Sequence, residues 1–531
     1  METEPERGLG VASRMRLGFA IAAAVVVLST AGATVGVGMV QVHHIARVVH
    51  DYGHVEPFER GTITAPPSGK PQTLLLVGSD RRYGDARGDA RSDTLMLIRL
   101  DPKQKATSVL SIPRDLRVEI PGLGSDKINA AYGEGGLDLT TRTVKQLLST
   151  PTRPFRINHA IAVSFKGFRE AVNVVHCVYV DVDRRYYHSN LGVPAGQRYA
   201  EINVQPGYQP LCGQQALAYV RFRHLDNDIV RSARQQDFLR SADAQLSTSN
   251  LLHNLKGLVR AFAKSTSSDA NLQTSRGILR LLRLAASTSG RPVVQVGFPH
   301  TFVQSAPAVT ASTPGVPLAE TQGVPPGLGD YVTATPDQIQ RAVGRFLHPR
   351  VAKAPKRARA AKKQHGHRRP ARATAASYGL VTALAAAKSI VRPELARRHF
   401  RLPFYAPRWL TRAGHYPAST GVARSPRLYS IPDRAGHRHA AYRLVVTENA
   451  TEGQYYGIEG TTWSHPPILD GPHSARRIGG RSYDVYYDGA HIRLVAWHTS
   501  RGAYWVSNTL SRDLPNRAML GIARSLTRVT R

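Results

Sequence analysis

Four stretches of this 531-residue chain bring arginine or lysine together with aspartate. They are "GSDRRYGDARGDARSDT" from Gly78, "SIPRDLRVEIPG" from Ser111, "DKINAAY" from Asp126 and "YVRFRHLDNDIVRSARQQ" from Tyr219. Carboxylates such as Asp80 and Asp93, set at strand ends, can hold a hard divalent cation while neighbouring guanidinium groups grip phosphate oxygens. One Arg-Asp pair is ordinary surface chemistry, whereas four such segments are hard to explain as a solvated basic surface. In the fourth stretch Tyr219, Val220 and Phe222 predict a strand, which turns Arg221 and Arg223 to one side because alternate residues share a face. The helix predicted after it stacks Arg231 and Gln235 at i, i+4.

The elements that must position these groups are legible from periodicity. "TLLLVGSD", "DTLMLIRLD", "KATSVLSIP", "HAIAVSF", "CVYVDVD" and "PVVQVGF" predict strands. "LTTRTVKQLLS", "ARQQDFLRSADAQL", "LLHNLKGLVRAFAK" and "TPDQIQRAVGRFL" predict helices. Strands mixed with helices of this length imply a layered α/β domain with a mixed sheet over residues 71–349. Residues 350–374 include "KAPKRARAAKKQHGHRRPAR", which has no acidic residue and cannot bury enough apolar surface to fold. Residues 375–531 predict a smaller, β-rich α+β domain. There "YDVYYDGAHIRLVAWH" is a hairpin about Asp488-Gly489, a dipeptide of type I′ turns. "GAYWVSNTL" adds a strand and "NRAMLGIARSL" an amphipathic helix. Tyr486, Tyr487 and Trp505 read as core, and that domain shows no catalytic constellation.

Composition narrows the partners. With 71 Lys+Arg against 37 Asp+Glu, the formal net charge is +34, which suits an anionic polymer, lipid or nucleic acid. Location decides among them. Residues 17–40 carry no charge, and the apolar run to Val42 is long enough to span a bilayer. Arg14 and Arg16 precede it, so residues 1–16 read as a cytoplasmic tail and residues 17–42 as an anchor in the cell membrane. A cleavable signal peptide, with Ala31-Gly32-Ala33 as its processing site, is the alternative. Either way the remainder is extracytoplasmic, beginning with a tether over residues 43–70, and nucleic acid is an unsuitable partner. Cys177 and Cys212 in an exported chain allow one disulfide. The chain contains no C-x-x-C, no H-E-x-x-H and no P-loop signature.

Taken in order, "LLLVGSD", "RSDTLML", "VLSIPRDLRVEIPG", "KINAAYGEGG" and "GQQALAYVRFRHLDNDIVRSARQQ" resemble the motifs of the LytR-CpsA-Psr (LCP) proteins of bacterial cell envelopes. The resemblance implies a Mg²⁺-dependent phosphotransferase that moves a glycopolymer from an undecaprenyl-pyrophosphate carrier onto peptidoglycan at the membrane. It implies Asp80 and Asp93 as metal ligands, with Arg82 and Arg91 from the same motifs on the substrate. Arg114, Lys127, Arg221, Arg223, Arg231 and Gln235 would contact pyrophosphate oxygens, and Asp115 and Asp228 match the family's acids. One departure stands out: His176-Cys177 replaces the family's glycine pair. Two other functions use the same residues, a lipid-pyrophosphate hydrolase and a non-catalytic wall-binding or regulatory protein.

Overall fold

The computed structural model describes residues 54–55, 57–65, 69–79, 92–104, 107–192, 200–222, 228–245, 266–274, 293–303, 331–349, 373–397, 400–417 and 425–530, with isolated positions between 277 and 288. The expected cytoplasmic tail, the anchor, most of the 350–374 linker and the helix expected at "LLHNLKGLVRAFAK" lie outside these residues.

The N-terminal body opens with β1 (His54–Val55), β2 (Gln72–Ser79), β3 (Ser92–Leu100), β4 (Thr107–Ile112) and the hairpin β5 (Arg117–Ile120) and β6 (Gly124–Lys127). Helix α1 (Ala130–Leu148), β7 (His159–Ser164), helix α2 (Phe165–Val174) and β8 (Val178–Val182) follow. Then come β9 (Tyr186–His188), β10 (Ile202–Val204), β11 (Gly207–Leu211), α3 (Gly213–Arg221) and α4 (Asp228–Gln245). The body closes with β12 (Thr266–Ser268), β13 (Val293–Val296), β14 (Thr301–Val303), β15 (Tyr331–Thr333) and α5 (Pro336–Leu347).

Its main sheet has the order β1-β12-β7-β2-β3-β4-β13. Leu74 to Val77 are all buried because both faces of the sheet are covered. Leu74, Leu76, Met96 and Ile98 pack beneath α2, α3 and α4, while Leu75, Val77, Leu95 and Leu97 pack against α1 and α5. The two-residue period of the strands thus feeds two cores. The mixed-sheet α/β layering follows from that alternation.

Two expectations change here. Residues 57–65 are not a free tether: Phe58 and Ile63 pack on the core, and the Thr64 amide donates to the Ile157 carbonyl at 2.9 Å. Helix α1 begins at Ala130, well before "LTTRTVKQLLS", and kinks at Gly135-Gly136, where Gly136 has φ of 61°.

The C-terminal body runs through β16 (Val381–Thr382), α6 (Leu384–Arg397), β17 (Phe404–Pro407) and β18 (Trp409–Leu410). Its large sheet comprises β19 (Arg427–Pro432), β20 (Arg438–Asn449), β21 (Gln454–Thr461), β22 (Ser474–Ile478), β23 (Arg481–Asp488), β24 (His491–Thr499) and β25 (Gly502–Ser507). Helix α7 (Asn516–Ser525) and β26 (Leu526–Val529) complete it. The large sheet is antiparallel, in the order β19-β20-β21-β25-β24-β23-β22. Its hairpin turn is Gly489-Ala490, because Asp488 pairs with His491. Only Gly489 there has positive φ, 57°, which suits type II′ rather than the expected type I′. The one-residue difference leaves Asp488 at the end of its strand. Trp505 is 0% exposed and Tyr486 2%, as core residues should be.

The two bodies share a core. Tyr179 and Tyr208 of β8 and β11 cluster with Ile431, Ala441, Leu494 and Trp505 of the large sheet. Trp505 donates its indole N–H to Asp181 at 3.2 Å, and Arg443 meets the same carboxylate at 2.8 Å.

Candidate active site

Strand register defines one end of the main sheet as the place where the motifs converge. β2 runs parallel to β7, β3 is antiparallel to both neighbours, and β4 is parallel to β13. Hence β2, β4, β7 and β13 finish where β3 begins, the end at which open α/β sheets place ligands. β2 ends there at Ser79, β3 starts there with Ser92-Asp93, and Arg114-Asp115 follows β4. Ser79 pairs with Ser92 across a register shift between Gly78 and Ser79, which sets the end of β2 beside the start of β3.

The hairpin β5–β6 returns a cation to this end. Its last residue, Lys127, is opposite Arg117, and the Asn129 amide donates to the Arg114 carbonyl at 3.2 Å. As a result Asp115 lies between two cations, 3.6 Å from Arg114 Nε and 3.8 Å from Lys127 Nζ. These three side chains are 14–19% exposed, so a ligand can reach them.

Arg221 reaches the site from a helix. The predicted strand at Tyr219–Phe222 is instead the end of α3, with Phe222 as its C-cap. The shared strand face proposed for Arg221 and Arg223 therefore does not exist. Ala216, Leu217, Tyr219 and Val220 are buried together, and that packing overrides the β preference of Tyr and Val. The Arg221 guanidinium lies 3.8 Å from the centroid of the Phe165 ring, a cation–π contact. Phe165 opens α2 directly after β7, so this contact sets Arg221 at the same sheet end. The aromatic at the end of "HAIAVSF" was the signal available in the sequence.

The departure at His176-Cys177 keeps a glycine-like backbone. His176 has φ of 58° and Cys177 φ of 67°, the left-handed region that costs residues with a Cβ about 1–2 kcal/mol each. Cys177 N–H donates to Val172 C=O at 3.1 Å and His176 N–H to Asn173 C=O at 3.0 Å, the Schellman closure of α2. Cys177 is disulfide-bonded to Cys212, the N-cap residue of α3. Asn173 Oδ1 also accepts from the Gly213 amide at 2.8 Å. The end of α2 is thus tied to the start of the helix that carries Arg221.

Helix α4 locks the other end of α3. Arg234 donates to the carbonyls of Tyr219 and Phe222 at 2.8 and 3.0 Å, and Gln235 donates to that of Val220 at 3.2 Å. Gln236 reaches Ser111 on β4. Gln235, expected on the pyrophosphate, uses its amide as a cap on a helix C-terminus. Arg231 lies on the same helix, 2% exposed. Asp80, Arg82, Arg91 and Arg223, and the side chains of Asp93 and Asp228, lie outside the described residues. Among those described, no three His, Cys, Asp or Glu side chains are grouped to hold a metal ion, and no helix is long and apolar enough to cross a membrane.

Residues 42–306 match the LytR_cpsA_psr family. Polyisoprenyl-teichoic acid–peptidoglycan teichoic acid transferase TagU of Bacillus mycoides (strain KBAB4) is 39% identical over 175 residues, covering 32% of this chain and 51% of the relative. TagT of Bacillus subtilis (strain 168), of the same description, is 36% identical over 169 residues, 32% of this chain and 50% of its own. The crystal structure of B. subtilis TagV aligns with 53% of this chain and 97% of that one, at 23% identity and a TM-score of 0.38. The chain spans about half the length of the relatives it matches. Carrying that match over about half its own length, the chain belongs to the LytR-CpsA-Psr family.

Proposed function

We propose that the chain is a phosphotransferase that moves a glycopolymer from a polyprenyl-pyrophosphate carrier to peptidoglycan on the outer side of the cell membrane. The observation that carries this reading is the grouping of Arg114, Asp115 and Lys127 at the sheet end where β2 and β3 deliver the "GSD" and "RSDT" motifs. The names of the teichoic acid transferases it resembles support the same chemistry.

A sugar hydroxyl of the acceptor attacks the phosphorus that bears the glycopolymer. The new O–P bond forms as the phosphoanhydride O–P bond breaks, polyprenyl phosphate leaves with the electron pair, and the hydroxyl proton passes to solvent. Phosphoryl transfer needs positioning and charge stabilisation above all. Arg114, Lys127 and Arg221 supply positive charge for the oxygens, and guanidinium groups do so with two parallel hydrogen bonds. Asp115, held between two cations, orients them. Asp80 and Asp93 would hold Mg²⁺, for which paired carboxylate oxygens are the right donors. The narrow space at Gly78, where an added Cβ would meet Thr94 at 3.0 Å, fits a close approach of the two strands there. When bound, the ion would neutralise the pyrophosphate.

The test is turnover of an undecaprenyl-pyrophosphate-linked glycopolymer with peptidoglycan acceptor, read as polymer joined to the wall. Arg114→Ala should lower it by a hundredfold or more, and EDTA should abolish it. Release of free polymer in place of wall-linked polymer would reassign the chain as a hydrolase.

A further inference from the structure

Helix α4 has two working faces. Phe238 anchors one of them in the N-terminal core. The other bears Val230, Ala233, Asp237 and Arg240, whose spacing places them in one row. That whole row meets the C-terminal body. Val230 and Ala233 pack with Leu510. Arg512 Nη2 donates to Asp237 at 2.7 Å, and Arg240 donates to Asp488 at 2.7 Å. Arg512 Nε reaches Asp488 as well, at 3.3 Å.

Charge and backbone both mark this contact as more than surface adhesion. Burial pushes the Asp237 carboxyl up, yet Arg512 and Arg240 overcome it and hold the group below its ordinary value. Arg512 itself sits at φ of 65°, a left-handed backbone held by its guanidinium on the Thr509 carbonyl at 2.8 Å. Non-glycine residues persist there only where their surroundings over-determine them. The row begins in the first turn of α4, next to Arg231. Through Arg234 and Gln235 the same helix holds the last carbonyls of α3, whose final residue is Arg221.

We propose that the C-terminal body is a positioning element of the phosphate site: Arg512, Asp488 and Leu510 clamp α4 and so fix the two helices that carry Arg231 and Arg221. The proposal rests on the reading of that sheet end as a pyrophosphate site. Arg512 is a positioning residue, acting through α4.

The experiment is calorimetric titration of the full chain with inorganic pyrophosphate and Mg²⁺. Arg512→Gln should weaken binding tenfold or more, and the double variant Asp237→Asn with Arg512→Gln, which keeps a neutral hydrogen-bonded pair, should return to within threefold of wild type. Tyr179→Phe removes another cross-body contact, the hydroxyl on the Pro432 carbonyl at 2.9 Å, leaves the Tyr179 backbone bonds to Gln245 of α4 in place, and should bind as wild type. Unchanged binding in Arg512→Gln, or an equal loss in Tyr179→Phe, overturns the clamp. Should Arg512→Gln not fold, Leu510→Ala decides: binding weakened threefold or more supports the clamp and unchanged binding refutes it. If the wild-type chain binds no pyrophosphate, the phosphate reading falls by itself. The clamp is then judged by amide hydrogen exchange along α4, at least tenfold faster in Leu510→Ala if it holds and unchanged if it does not.

Discussion

Arginine and aspartate meet at the junction of the two bodies and again at the end of the main sheet, in different geometries. At the junction of the bodies, Arg443 meets Asp181 at 2.8 Å, Arg512 meets Asp237 at 2.7 Å and Arg240 meets Asp488 at 2.7 Å. Those side chains are 1–13% exposed. At the sheet end, Arg114 and Lys127 stand 3.6 and 3.8 Å from one carboxylate, Asp115, and are more open. At the junction Arg512 and Arg240 share Asp237 and Asp488 in an interlaced, sealed network, while at the sheet end two cations approach one acid at longer range. Residue types alone do not separate the two cases. Distance does: the three junction pairs close to 2.7–2.8 Å, and the sheet-end pairs stand at 3.6 and 3.8 Å.

The sharpest way to break the comparison is to delete one cation from each cluster. Arg443→Met strands Asp181, and removing one partner of a buried pair should destabilise the chain by about 3–5 kcal/mol. Arg114→Met leaves Asp115 with Lys127 at 3.8 Å, so its loss should be smaller, about 1–3 kcal/mol. Urea unfolding of the two variants measures both, and equal losses would erase the distinction. A smaller effect sharpens the catalytic side. Arg221→Lys keeps the charge but not the planar fork, and losing one charged hydrogen bond is worth about 1.5–3 kcal/mol. Transfer should fall roughly tenfold to a hundredfold, whereas Arg357→Lys in the basic linker should leave it unchanged. Equal rates in both would reduce the site arginines to ordinary surface charge.

Smallest per unit change is a pH dependence at the junction. Burial pushes the Glu459 carboxyl up to about 8, against the lowering influence of Arg443. A carboxyl raised in the folded state is neutral there at pH values where the unfolded chain is already ionised. Its contribution is therefore complete below about 4.5, the ordinary glutamate value, and is lost as pH rises towards about 8. Near neutrality the loss should be about 1 kcal/mol per pH unit. Glu459→Gln should flatten the stability profile across that window, and an unchanged profile would place the dependence elsewhere.

The sheet was legible because its strands are short runs apolar on both faces, as in "TLLLV" and "TLMLI", too short for buried helices and bounded by turn residues. The motif segments were legible because Arg114 and Asp115 adjoin in sequence and stay adjoined in space. What misled was local: Tyr219 and Val220 favour strands in isolation, but the buried face of α3 outweighs that preference. The cap made by Gln235 could not be read either, since a side-chain amide serves a phosphate or a helix end equally well. The clamp on α4 joins Asp237 to Arg512 across 275 positions, and no pattern within either segment announces the other.

That separation sets an order of events. A chain emerges N-terminus first, at about 5–20 residues per second, so Asp237 waits roughly 15–55 s before Arg512 is made. For that interval the tyrosines of β8 and β11 and the charged row of α4 have no cover. Contacts between such distant segments form late and carry a large loop-closure penalty. The junction is thus the last part of the molecule to assemble, and its uncovered apolar surface is where aggregation or a chaperone would first take hold.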